Sequence, residues 1–200
     1  MSIVYTYHGN LYVNLTNRCT AACTFCIKNK WQRKFRGHDL KLAKEPTVAQ
    51  VIKAIKDPKR FPEIVFCGYG EPFMRLEELK EIARWVKSKG GFVRVNTSGH
   101  ANLFYGRNVV PELKGLIDAI SISLNASNAR QYEALHRPLH GKKAFRAVLD
   151  FAKECARLLP DVTLTCIELP EVDVKKCAAI AKRLKVKFRL RPYLDEYEKS

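Results

Sequence analysis

An α/β fold built on a mostly parallel sheet is what this sequence predicts, and three observations lead there. Short apolar runs alternate with segments of helical period from residue 11 to residue 191, the pattern of successive βα units. Several of the runs are polar at every second position, so each strand has one oily face and one that is not. Six such units are too few for a closed eight-fold barrel. The expected architecture is therefore a partial (β/α)6 barrel of parallel strands with an accessory N-terminal strand, residues 1–200 forming a single domain.

Residues 3–7 read as the accessory strand and 11–16 as the first parallel one. A helix over 47–55 follows, opened by Thr47 and Gln50 at capping-box spacing. Residues 63–68 form the second strand, and the next helix carries Leu76, Leu79, Ile82, Ala83 and Val86 on one face. Residues 92–96 and 119–125 are the third and fourth strands, with helices over 127–135 and 142–159 after them. The longer helix shows a stripe of Phe145, Val148, Leu149, Ala152, Cys155 and Ala156. Residues 162–167, 174–184 and 186–191 complete the pattern as strand, helix and strand.

The strand faces carry information. Leu11, Val13 and Leu15 oppose Tyr12, Asn14 and Thr16; Val93 and Val95 oppose Arg94 and Asn96. Ile120, Ile122 and Leu124 oppose Ser121, Ser123 and Asn125, while Val186, Phe188 and Leu190 oppose Lys187, Arg189 and Arg191. A parallel sheet covered on both sides would be apolar on both. Either the polar face lines a cavity, where Arg94, Arg189 and Arg191 need anionic partners, or the sheet is covered once and that face meets water.

Hydrophobic residues make up 46% of the chain, enough for a packed core without disulfide staples. No run approaches the ~18 apolar residues of a membrane span, and the first residues lack the pattern of a secretion signal. The cytoplasm is the expected compartment, with no membrane partner. A formal net charge of +16 attracts anions such as phosphates and nucleic acid, although a solvated lysine-rich surface has the same composition. The seven cysteines are odd in number, and three crowd into eight residues, which points to metal before disulfide.

Those three form Cys19-x3-Cys23-x2-Cys26, directly after the first strand and at its C-terminal end, where ligands bind in parallel α/β sheets. Thiolates on a short loop suit an iron–sulfur cluster or zinc. No fourth cysteine is near; the next, Cys67, closes the second strand. Three thiolates on a [4Fe-4S] cluster leave one iron open to a reactant. Zinc held by these cysteines and a histidine such as His38 is the rival, since Cys23 and Cys26 have a zinc-type pairing.

The cysteine motif, with Phe25 just before Cys26, resembles the signature of the radical SAM superfamily. The resemblance implies a [4Fe-4S] cluster on Cys19, Cys23 and Cys26, with S-adenosylmethionine (SAM) chelated at the open iron. It further implies an electron donor such as flavodoxin or ferredoxin, and reductive cleavage of SAM to a 5′-deoxyadenosyl radical. Cys67-Gly68-Tyr69-Gly70-Glu71-Pro72 resembles the family's Gly-Gly-Glu segment, which contacts the SAM amino group; Tyr69 departs from it, where many relatives have glycine. Asn96-Thr97-Ser98-Gly99 and the 121–125 strand resemble segments near the SAM carboxylate and ribose. The implied contact set is Phe25, Gly68, Tyr69, Gly70, Glu71, Asn96, Ser123, Asn125 and Arg191, although ordinary turn chemistry also favours Ser and Asn at such places.

More narrowly, the 11–19 and 66–72 segments and Gly106-Arg107-Asn108 are similar to the short TatD-associated radical SAM proteins, which implies a functional link to a TatD-type nuclease but no substrate. Residues 27–45 mix Lys28, Lys30, Arg33, Lys34, Arg36, Lys41 and Lys44 with Trp31 and Phe35. Such a mixture suits phosphate or nucleotide contacts, or is a solvated loop over the cluster. The substrate expected from this charge is anionic, a nucleotide or RNA. Two other readings compete: a zinc-stabilised basic nucleic-acid-binding module, and an electron-transfer protein that only carries a cluster. His100, His136 and His140 show no partner spacing and are expected at the surface, whereas Cys155, Cys166 and Cys177 are expected in the core.

Overall fold

The computed structural model describes residues 2–30 and 34–193. Strands β1 (Val4–Tyr7) and β2 (Asn10–Val13) form an antiparallel hairpin. His8 and Gly9 both have positive φ, the two-residue turn whose twist matches the strands it joins. A separate ribbon, β3 (Lys34–Phe35) and β4 (His38–Asp39), comes next. Strands β5 (Ile64–Phe66), β6 (Val93–Thr97), β7 (Ala119–Ser123), β8 (Asp161–Ile167) and β9 (Lys187–Arg191) then pair in parallel, beginning on β2. The helices are α1 (Ile27–Lys30), α2 (Val48–Ile55), α3 (Leu76–Ser88), α4 (Ala101–Tyr105), α5 (Ala129–His136), α6 (Lys143–Leu158) and α7 (Val174–Leu184).

Strand order in space follows strand order in the chain, β1-β2-β5-β6-β7-β8-β9, with no reversal. A doubly wound sheet requires a reversal; here each parallel crossover steps the same way, and right-handed connections then set the helices on one side. The core agrees. Leu11, Val13, Ile64, Phe66, Val93, Val95, Ile120, Ile122, Val162 and Leu164, all from one strand face, share a cluster with the buried residues of α2, α3, α6 and α7. The sheet does not close into a barrel: β1 and β9 are its two edges.

On the other face Tyr12 and Val65 join Tyr5, Phe35 and Leu40 in a small second cluster. Phe35 meets Tyr5 and Tyr7 edge-on at 5.9 and 5.1 Å, so this part of the basic segment is folded down onto the hairpin. Trp31 and Arg33 lie outside the described residues.

Local signals account for most elements. The Thr47–Gln50 capping box is formed in both directions, and α3 buries all five residues of its stripe. In α6 the buried stripe is rotated from the expected one: Ala144, Val148, Phe151, Ala152 and Cys155 are buried, Phe145 and Leu149 are half-buried, and Ala156 is exposed. Phe151 belongs to the buried face and meets Phe73, of the 3-10 helix Pro72–Arg75, edge-on at 6.0 Å. Phe151 is completely buried, so Phe151→Ala should cost about 3–5 kcal/mol, read as a lowered urea midpoint with an unchanged slope.

Candidate cofactor site

The cysteine loop is held from both sides before any cofactor is considered. On one side, the chain leaving β2 is tied to residues 40–45 by side chains that imitate backbone. Asn14 Nδ2 donates to the carbonyls of Leu40 (2.7 Å) and Ser2 (3.1 Å), and its Oδ1 accepts from the Tyr69 amide at 3.0 Å. Asn17 bonds Leu42 reciprocally, Nδ2 to its carbonyl at 2.6 Å and Oδ1 from its amide at 3.0 Å. Arg18 grips Glu45 with two bonds of 2.8 and 3.0 Å. An asparagine carries both a donor and an acceptor, so it can complete a strand-like pair where no strand continues.

On the other side, the C-terminal end of α5 runs along the loop. The Ala22 amide donates to the His136 carbonyl (3.1 Å), the Thr24 amide to the Leu135 carbonyl (2.9 Å), and the Leu139 amide to the Thr20 carbonyl (2.9 Å). Ala21 and Pro138 form a bridge. Arg137 caps α5 with φ 43°, the left-handed turn that sends the chain back along the loop.

Cys19, Cys23 and Cys26 are free thiols on this loop. Cys19 is exposed at the surface, yet the crowding of its sulfur by the surrounding chain, with the Glu71 carboxylate adding to the effect, pushes its thiol up. Burial, then the neighbouring Cys19 and Cys26, push Cys23 up to about 12. Cys26 acts on both Cys19 and Cys23, so the sulfurs lie near one another. A cationic iron–sulfur core supplies the counter-charge that makes three adjacent thiolates stable. The donor set fits a cluster. Among the described residues no three His, Cys, Asp or Glu side chains converge on one ion. His38, the expected zinc ligand of the rival reading, instead lies beside the Tyr5 ring, centroids 5.7 Å apart.

The two glycines after β5 are dictated by contact. A Cβ on Gly68 would stand 2.2 Å from Asn14 Oδ1, and one on Gly70 would stand 2.3 Å from the Arg18 carbonyl oxygen and 2.5 Å from that of Thr16. The Glu71 amide donates to the Arg18 carbonyl at 2.8 Å. Glycine here lets the segment lie directly on the stem of the cysteine loop. The Glu71 carboxylate is buried and turned inward: it accepts from the Phe73 amide (3.2 Å), the Thr97 hydroxyl (2.7 Å) and the Ser98 amide (2.7 Å). Burial raises its pKa and those bonds oppose the rise. Three of its roughly four acceptor positions are engaged within the protein, so Glu71 is first of all a pin between loops. Tyr69 lies under Lys28, whose Nζ is 4.9 Å from the ring centroid and donates to the Asn17 carbonyl at 2.6 Å.

Beyond this cradle, the ends of β6, β7 and β9 present polar atoms with no protein partner. Asn96 Oδ1, Ser98 Oγ, Asn125 Nδ2 and Arg191 Nε are all buried without a hydrogen bond. Asn125 sits at φ 48°, a left-handed position asparagine tolerates. Its Oδ1 accepts from the Ile167 amide at 2.9 Å, leaving Nδ2 over. Ser123 is half-buried on the same strand face as Ser121. Unpaired buried donors and acceptors are costly, and a ligand rich in amino, carboxylate and hydroxyl groups would satisfy them. Such a ligand is what SAM is.

The arginines divide. Arg94 is paired with Glu63 at 2.6 Å and needs no ligand, a correction to the expectation for that residue. Arg189 donates to the Ser121 hydroxyl at 3.3 Å. Arg191 is held below its ordinary pKa by burial.

Two histidines expected at the surface are in the core: His100 and His136 are each 1% exposed. His100 bonds the Thr20 hydroxyl through Nδ1 (2.9 Å) and the Tyr132 hydroxyl through Nε2 (2.7 Å). Tyr132 stacks flat on His136, centroids 4.0 Å apart, and His136 Nδ1 stands 3.5 Å from Cys23 Sγ. Phe25 meets the same imidazole edge-on at 5.2 Å. Desolvation brings His100 down to about 4 and His136 to about 3, so both are neutral near pH 7. Their hydrogen-bond partners lie 32 to 113 residues away in sequence, beyond any local spacing, although the Tyr132–His136 stack itself spans four residues.

Two outcomes are expected. Gly70→Ala should force the cysteine stem aside, destabilise by about 1–3 kcal/mol and reduce the iron and sulfide retained after anaerobic reconstitution. His100 binds a proton more readily unfolded, near 6.5, than folded, near 4. Its contribution is therefore complete above about pH 6.5 and is lost as pH falls toward 4; urea midpoints should fall over that window, less steeply in His100→Gln.

Comparison with known proteins agrees with this geometry. The family model described as the Radical SAM superfamily matches residues 13–184. A tungsten-containing aldehyde ferredoxin oxidoreductase cofactor-modifying protein of Pyrococcus furiosus is 30% identical over 92 residues, 44% of this chain and 23% of that one. An uncharacterised protein of Methanocaldococcus jannaschii is 26% identical over 174 residues, 86% of this chain and 52% of that one. A probable RNA methyltransferase of Chromobacterium violaceum is 27% identical over 121 residues, 58% of this chain and 32% of that one. The chain thus spans about half or less of these relatives. In fold it is similar to Streptococcus suis SuiB bound to SAM (TM-score 0.66, 12% identity, 93% of this chain and 42% of that one). It is also similar to HydG, a maturase of the [FeFe]-hydrogenase (TM-score 0.58, 17% identity, 91% of this chain and 41% of that one). The match over 13–184 shows that this chain belongs to the radical SAM superfamily, enzymes of a [4Fe-4S] cluster and SAM.

Proposed function

We propose that this chain cleaves SAM reductively and directs the resulting radical at an anionic substrate, a nucleotide or RNA. Cys19, Cys23 and Cys26 hold the cluster, with Phe25 packed behind the loop. When bound, the cluster supplies one electron, delivered by a donor such as flavodoxin or ferredoxin, to the sulfonium of SAM, releasing methionine and a 5′-deoxyadenosyl radical. The cradle of Gly68, Tyr69 and Gly70, fixed by Glu71, presents backbone to the methionyl end. Asn96, Ser123, Asn125 and Arg191 bond the remainder through the atoms left unpaired at the strand ends. The polar face on which they stand is read as the concave side of a partial barrel.

The single observation that carries the cofactor assignment is the coincidence, at one sheet edge, of three free cysteines on one loop with buried polar atoms that lack a protein partner. The substrate class rests on β9, whose Lys187, Arg189 and Arg191 share a face; with Arg191 given to SAM and Lys187 paired with Asp161, Arg189 is left with the Ser121 hydroxyl and no carboxylate among the described residues. On the same sheet face Arg94 does have such a partner, Glu63. Similarity to a probable RNA methyltransferase is consistent with this choice. A functional link to a TatD-type nuclease would place the substrate among nucleic acids as well.

Anaerobically reconstituted protein given dithionite and SAM should form 5′-deoxyadenosine, and Cys23→Ala should not. A correctly assembled cluster that never turns SAM over would sink the assignment. Arg189→Glu should weaken capture of a mixed-sequence RNA oligonucleotide severalfold and leave SAM affinity near that of the parent protein. Equal losses would assign Arg189 to the cofactor or to folding.

A further inference from the structure

We infer that His136 is a positioning residue for the cluster: its Nδ1–H donates to the sulfur of Cys23 and sets how readily the cluster accepts an electron. The inference rests on the assignment of Cys23 as a ligand, and adds to it a residue outside the ligand motif.

The geometry is specific. His136 Nδ1 is 3.5 Å from Cys23 Sγ, within reach of a hydrogen bond to sulfur. The imidazole has no freedom to leave: Tyr132 stacks on one face at 4.0 Å and 8°, and Phe25 meets it at 86°. Tyr132 is itself anchored by the 2.7 Å bond to His100, and His100 by the 2.9 Å bond to Thr20, the residue after Cys19. A path of side chains therefore starts beside one cysteine of the loop and returns to another. Backbone bonds do the same, since the His136 carbonyl accepts from the Ala22 amide, one residue before Cys23.

The chemistry fixes the direction of the bond. A cysteine that ligates iron has no proton, so its sulfur can only accept. The tautomer attractive to it carries hydrogen on Nδ1, which leaves Nε2 as a bare lone pair. Nε2 makes no hydrogen bond of good geometry; the Leu124 carbonyl lies near the ring, but only hydrogen on Nδ1 can pair with a sulfur that has no proton, and an unpaired acceptor is tolerated more readily than an unpaired N–H. A donor on a cluster sulfur draws charge away from the metal core. It stabilises the reduced, more negative state over the oxidised one, and so raises the potential. The partner position matters because SAM cleavage needs a low-potential electron; this bond sets the level the donor protein must reach.

The test compares His136→Phe, which keeps an aromatic ring between Tyr132 and Phe25 but has no donor, with His136→Gln, which keeps an N–H donor and loses the ring. Each is reconstituted anaerobically, assayed for iron and sulfide, and titrated with dithionite while the electron paramagnetic resonance signal of the reduced cluster is followed. His136→Phe should load iron as the parent does and show a midpoint shifted to more negative potential, with altered g-values. His136→Gln should lie nearer the parent. An unshifted midpoint in fully loaded His136→Phe overturns the proposal. So does equal loss of iron from both variants, which would make the imidazole a packing element only. If His136→Phe fails to load while His136→Gln loads with a midpoint near that of the parent, the donor is required and the proposal stands. Parent protein that binds no iron and sulfide would instead refute the ligand assignment, a failure told apart by the metal analysis alone.

Discussion

The buried carboxylate of Glu71 is the constraint on which the site depends. It follows β5, yet its acceptors are filled from the loop after β6 and from the first turn of the 3-10 helix at Pro72–Arg75, while its own amide bonds the stem of the cysteine loop. Three chain segments that leave adjacent strands are thereby fixed at one point. A charged group withdrawn from water is expensive, and its neighbours offset that cost only when every bond is made. The arrangement therefore fixes the relative positions of these segments at the sheet edge.

Around that pin the protein keeps two kinds of polar interior. One is complete: Asn14, Asn17, Arg75 and Arg94 spend their hydrogen-bonding groups on neighbouring chain, and hold loops that no strand extends. The other is left incomplete at the ends of β6, β7 and β9, where donors and acceptors are buried and unanswered. A folded protein seldom carries such groups without use. The contrast between the two separates scaffold from site more sharply than burial does.

Legibility from sequence followed the range of each interaction. The alternation in β6 and β7, the stripe of α3 and the Thr47 cap depend on neighbours within a turn or two, and the residues alone revealed them. The cysteine spacing could be read because all three residues fall on one loop. The partial-barrel expectation extended to curvature that no local pattern encodes; what is found is an open, sequentially ordered sheet. His100 and His136 went unread because their burial is created by α5 folding back along the cysteine loop. Arg94 was misjudged for a similar reason, since its carboxylate, Glu63, stands before the neighbouring strand and 31 residues earlier. Helix α4 and the β3–β4 ribbon are too short to show a period.

The demand for glycine after β5 falls on alternate residues, 68 and 70, where a Cβ would collide with Asn14, Thr16 and Arg18. The residue between them meets the same stem through its amide, which donates to Asn14 Oδ1. An aromatic ring can therefore stand at position 69 without moving the backbone, and there it meets a lysine from the cysteine segment. Drift at this one place redecorates the rim of the site while its floor stays as it was, so a departure from a glycine pair need not signal a lost cradle.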